Sequence, residues 1–199
     1  MESSIITLLN DTSDAVAAAM TPSIITLLNY TSNAIGAIAF LALPFLLFNW
    51  AKYMNSLPTN GVASATRWVN YPIKSVYFFM FPILLSMALI SFITSVVRLQ
   101  VLSFINSLPS QYTVFINGKL IQNAEEVLAT LRTVAPITAH HSHPTSRLHI
   151  EVRTTSHCLQ LELGRDSGIS QEYWVFNPSY DVTALNEIGR ITTSVFNDY

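Results

Sequence analysis

The segment Thr138-Ala-His140-His141-Ser-His143-Pro144 is the one place where this chain concentrates side chains able to do chemistry. A neutral imidazole nitrogen binds zinc, copper or nickel, so His140, His141 and His143 are candidate metal ligands, with His149 and His157 able to join them in space. The same ring titrates near neutrality, which makes a pH sensor the companion reading. No second tract of Cys, His or acidic residues has ligand spacing, and Cys158 is the lone cysteine, outside any Cys-X-X-Cys. A proline-ended loop of solvated histidines explains the tract more simply, and no cofactor is implied.

Two further sets of residues could act. Gly164-Arg165-Asp166-Ser167-Gly168 could hold an anion or a partner, although turn chemistry between two strands explains it more simply. Ser167 lies near an acid and a base, but no Gly-X-Ser-X-Gly surrounds it, so the chain is read as a non-enzyme. Tyr173, Trp174 and Phe176 make one short segment aromatic on both faces. With Arg165 they are the candidate partner-binding residues, because exposed aromatics suit contact surfaces; core packing is the alternative.

The elements that must position these residues divide the chain in two. Of its 199 residues 11% are charged, and the deficit is confined to the first half. Ala15–Ala51 and Ser75–Val97 carry no charge at all. The second stretch has 23 residues, about 35 Å of helix against a hydrocarbon core of about 30 Å. Pro82 within it, and Pro44 within the first, should bend a membrane helix rather than end it. Trp50 and Tyr53 close the first span and Trp68 and Tyr71 open the second, an arrangement that suits the headgroup level. No charge lies within either span, which argues against an ion pathway built by this chain alone.

Lys52, Arg67 and Lys74 sit in or beside the loop between the spans, whereas the N-terminal tail carries Glu2, Asp11 and Asp14 and no basic residue. The positive-inside rule then puts the loop in the cytoplasm and both termini outside, in a bacterial inner membrane. The tail lacks the basic region and short apolar core of a secretory signal, so the first span is expected to act as an uncleaved anchor. Asn10-Asp-Thr12 and Asn29-Tyr-Thr31 match the glycosylation triplet at a level chance explains. Small residues (Gly36, Ala37, Ala39; Ala88, Ser91, Ser95) would permit close helix approach, including homo-oligomerisation.

Two echoes mark boundaries. Ser4-Ile-Ile-Thr-Leu-Leu-Asn10 recurs as Ser23-Ile-Ile-Thr-Leu-Leu-Asn29, a local duplication expected to lie at the interface or as a loose tail. Asn55-Ser-Leu-Pro58 recurs as Asn106-Ser-Leu-Pro109. Each is expected to end a helix, because proline disfavours helical geometry before it, which extends the second helix to Asn106.

Beyond Pro109 the period changes to that of strands. Asn117-Gly118 between strand-like runs predicts a hairpin, and Asn123-Ala-Glu-Glu126 fits a capping box for a helix carrying Val127, Leu128 and Leu131. Leu148, Ile150 and Val152 alternate with polar residues, as do Leu159, Leu161 and Leu163. A four-residue turn sets Val152 against Leu159, Ile150 against Leu161 and Leu148 against Leu163, with His149 opposite Glu162 on a solvated face. Glu172–Phe176 reads as a strand. Leu185, Ile188, Ile191 and Val195 read as a last helix weakened at Gly189.

The fold class is therefore a helical hairpin of two transmembrane helices plus a small C-terminal α+β domain with an antiparallel sheet. The tail covers residues 1–33, the hairpin 34–107 (spans 34–53 and 75–97, loop 54–74) and the soluble domain 111–199. The expected role is an integral, multi-pass membrane accessory or regulatory protein, of immunity or exclusion type, whose domain binds another protein rather than nucleic acid. A metal- or pH-sensing membrane protein using the histidine loop is the alternative.

Overall fold

The structure is a computed structural model that describes residues 22–55, 73–137, 141–180 and 186–199. Two helices of 34 residues come first, α1 (Pro22–Asn55) and α2 (Ile73–Asn106), and both run through their internal prolines, Pro44 and Pro82. α2 stops at Asn106 of its Asn-Ser-Leu-Pro motif, ahead of the leucine whose helical geometry Pro109 disfavours, and the residues after Asn55 of α1 lie outside the described residues. α1 starts earlier than expected: residues 22–33 are its first turns, and Asn29 is a buried helical residue there.

Strands β1 (Thr113–Ile116), β2 (Lys119–Leu120), β3 (Pro144–Arg153), β4 (Cys158–Asp166), β5 (Glu172–Phe176) and β6 (Glu187–Thr192) form one antiparallel sheet in the order β2-β1-β3-β4-β5-β6. Helix α3 (Ala124–Leu131) follows the first hairpin. Asn117 and Gly118 take φ of 50° and 78°, the left-handed pair a type I′ turn demands. The β3–β4 register pairs Val152 with Leu159, Ile150 with Leu161, Leu148 with Leu163 and His149 with Glu162, as the alternation dictated.

Two expectations need correction. The last element is strand β6, not a helix. Gly189 lies where the Val134–Ala135 segment crosses that strand: a Cβ there would meet Ala135 O at 2.3 Å and Val134 Cγ1 at 2.6 Å. Ala135 and Arg190 exchange backbone hydrogen bonds of 2.8 and 3.0 Å, closing the outer edge of the sheet. The capping box does not form either. Asn123 makes no side-chain cap, and its amide donates instead to Glu126 Oε2 at 2.5 Å.

The described residues divide into two compact units: 22–27 with 91–199, which holds the sheet, and 28–90, so the last turns of α2 belong with the sheet. The reason is visible in α2. Ile93, Val96, Val97, Val101 and Ile105 are 0–3% exposed. They join Val127, Leu128 and Leu131 of α3 and Val114, Ile116, Leu148, Ile150, Val152, Leu161, Leu163 and Val175 of the sheet in that unit's core. Arg98 Nη1 donates to Ile188 O at 3.3 Å, and Tyr180 Oη donates to Gln100 Oε1 at 3.2 Å.

In the other unit, residues 28–90, α1 and α2 meet through serines. Ser32 Oγ donates to Ser86 O at 3.2 Å, Ser86 Oγ returns the bond to Ser32 O at 3.1 Å, and the two hydroxyl oxygens are 3.0 Å apart.

Burying an aliphatic side chain contributes about 1.5–3 kcal/mol, so the five from α2 together rival the whole stability of a domain, about 5–15 kcal/mol. A fragment Ser91–Tyr199 should therefore unfold cooperatively, while Gln111–Tyr199 should show no cooperative transition in urea. Equal stability of the two would refute this boundary. Gly189→Ala should cost about 1–3 kcal/mol by overpacking, read as a lowered urea midpoint with unchanged slope.

Candidate functional site

Three of the four expected partner-binding residues are enclosed, and Arg165 is half-buried. Tyr173, Trp174 and Phe176 are 1%, 7% and 1% exposed, so core packing, the alternative weighed for this strand, describes it. Tyr173 meets Phe196 edge-on with centroids 5.6 Å apart, and its hydroxyl donates to Asn197 Oδ1 at 2.9 Å. Arg165, its cross-strand neighbour, stacks 5.6 Å from the Tyr173 ring and also donates to Asn197.

Trp174 organises a buried polar network on the opposite face. Register sets Arg147, Gly164, Trp174 and Arg190 in one row across four strands, and His149, Glu162, Phe176 and Glu187 in the next. Arg190 lies 4.0 Å over the Trp174 ring, donating from Nη1 to Glu172 Oε1 at 2.8 Å and from Nε to Glu187 Oε1 at 3.0 Å. All three charged residues are at most 9% exposed. Burial alone would lower the Arg190 pKa, but the two carboxylates outweigh it and raise it above its ordinary value.

At the other end of the indole, Trp174 Nε1 donates to Asp166 Oδ2 at 2.7 Å, and Ser142 Oγ donates to the same oxygen at 2.5 Å. The backbone amides of Gly168 and Ile169 donate to Oδ1 at 2.7 and 2.9 Å. Burial pushes the Asp166 carboxyl up; the four hydrogen bonds outweigh it and hold it far below the usual carboxylate range. Asp166 thus ties the end of the histidine loop to the sheet, which explains the Gly164–Gly168 sequence as turn and anchor.

His141 and His143 are exposed, and His140 lies outside the described residues. The His143 amide donates to Ser167 Oγ at 3.2 Å, its carbonyl accepts from the Ser167 amide at 3.0 Å, and its Nδ1 lies 3.4 Å from that hydroxyl, so His143 is tethered to the turn after β4. Among the described residues no group of three His, Cys, Asp or Glu side chains is placed to hold a metal. His149 stands 3.6 Å from Glu162, which also receives Arg147 at 2.5 Å, so the solvated sheet face carries the cross-strand pairs expected of it.

On the helices the exposed side chains are apolar. α1 presents ten large ones from Ile24 to Trp50, α2 presents eight from Tyr77 to Phe92, and the rest of the described chain only four. Trp50 is 48% exposed beside exposed Lys52 and half-buried Tyr53. Trp68 and Tyr71 lie outside the described residues. Both helices are long and apolar enough to cross a membrane by length and composition. No family model, curated protein or solved structure matches the chain.

Of the site residues, the sequence missed Asp166, Glu172, Glu187 and Arg190 as a set, since only strand register brings them together. A carboxyl lowered on folding stabilises the fold above its unfolded pKa, about 4, and loses that contribution as the pH falls further. Asp166→Asn should therefore cost about 1.5–3 kcal/mol at pH 7 and cost less at pH 3. Urea unfolding at both pH values reads this, and an equal penalty at each would contradict the assignment.

Proposed function

We propose that the chain is a two-span integral membrane protein whose C-terminal α+β unit acts as a non-catalytic binding module for another protein, in an accessory or regulatory role. One observation carries the membrane part: ten large apolar side chains exposed on α1 and eight on α2. A water-soluble chain of this size rarely exposes an apolar patch beyond a few hundred Å², and a belt around two helices fits acyl chains. Lys52 stands beside Trp50 and Tyr53 at the end of α1, and Arg67 and Lys74 follow in sequence. With the acidic, lysine-free tail, this favours a cytoplasmic connection and a C-terminal unit on the other side of a bacterial inner membrane.

The protein-binding part is supported by apolar side chains exposed on the otherwise polar sheet unit: Leu120, Ile137 and Ile169, at 61%, 42% and 45%. A partner would meet these loops rather than add a strand, because β2 is two residues long and β6 is covered by Ala135. Affinity capture in mild detergent should return one stoichiometric protein, and Ile137→Asp with Ile169→Asp should reduce its recovery at least tenfold. Capture of no such protein by the intact chain contradicts the reading. Reporter fusions in the 54–74 loop and after Tyr199 should report opposite compartments; the same compartment for both removes the two-span topology.

A further inference from the structure

We infer that the acyl-chain-facing surface of α2 ends at Phe92, and that Ile93–Asn106, although still rich in aliphatic residues, lie outside the hydrocarbon. This rests on the membrane reading above and defines where the lipid stops. Apolar character alone runs from Val76 to Asn106, about 45 Å of helix, well beyond a hydrocarbon core of about 30 Å. Exposure divides that run. Among the described residues, the large apolar side chains exposed on α2 fall between Tyr77 and Phe92, and none follows.

From Ile93 onward the helix has another partner. Ile93, Val96, Val97, Val101 and Ile105 are 0–3% exposed in the core of the sheet unit, and a side chain enclosed there cannot also face acyl chains. The polar groups agree. Arg98 donates to the Ile188 carbonyl, Gln100 accepts from Tyr180, and Ser103 and Asn106 are exposed. Each would be costly in hydrocarbon and is ordinary in water. From Ser75, the first residue after Lys74, to Phe92 the helix rises about 26 Å, close to the thickness of one hydrocarbon core. The occupant of the belt is therefore lipid acyl chains, and the water boundary lies about one and a half turns before Arg98.

Nitroxide labels at Phe81→Cys, Leu85→Cys and Ser103→Cys test this in a Cys158→Ser background, since the native thiol is exposed. The full chain is reconstituted in phosphatidylcholine–phosphatidylglycerol vesicles with a water-soluble nickel chelate on both sides. Power saturation then compares collision with oxygen, which concentrates in acyl chains, and with the chelate. The expected result is oxygen preference at 81 and 85 and chelate preference at 103, a reversal of sign within 18 residues. Oxygen preference at 103 as well overturns the boundary while leaving the membrane reading intact. Exclusion of both reagents at 81 and 85 means that a second copy, not lipid, covers the belt, and overturns the assignment. Chelate preference at all three sites removes the membrane reading itself.

Discussion

A buried side chain has one environment, and α2 is organised by that limit. The helix is apolar along its length, yet residues Tyr77–Phe92 carry exposed bulk whereas Ile93, Val96, Val97, Val101 and Ile105 are enclosed. Strands β1 and β3–β5 need a complementary apolar layer, and a short α3 with three buried residues supplies only part of it. The final turns of α2 bring five more buried aliphatic side chains to that unit. An antiparallel sheet of this size gains stability by covering one face, and here the covering helix begins as part of the apolar belt.

The second constraint is polar. Asp166, Glu172, Glu187 and Arg190 are buried around Trp174, and each has charged or hydrogen-bonding partners. Such groups add little net stability over an apolar equivalent, but removing one partner strands another in low dielectric. Their effect is to fix β4, β5 and β6 in one register and to hold the Ser142–His143 end of the histidine loop against β4. The loop's chemistry-bearing residues are thereby positioned by a carboxylate that does no chemistry itself.

Much of the architecture was legible in the sequence because local rules acted alone. Alternating Leu148-Ile150-Val152 and Leu159-Leu161-Leu163 specified a register that a one-residue slip would expose to water. Asn117-Gly118 specified its turn, and the second Asn-Ser-Leu-Pro motif specified the end of α2. β6 was misread because it is buried from Glu187 to Ile191. A strand enclosed on both faces loses its alternation, and Ile188 and Ile191, three apart, then imitate a helix. The aromatic strand β5 was ambiguous for the same reason. The charged network could not be read at all, since Glu172 and Arg190 are 18 positions apart and meet only through pairing of β5 with β6. The division of α2 was legible only as the end of the charge-free run at Val97, and the earlier onset of burial at Ile93 was not, because lipid and protein cores select the same residue types.

The central claim, that the helices are surrounded by lipid, is most directly tested by alkaline carbonate extraction of membranes from cells making the full chain. Retention in the pellet, with release only by detergent, is the expected result. Recovery of monomeric protein in the aqueous supernatant would contradict the claim.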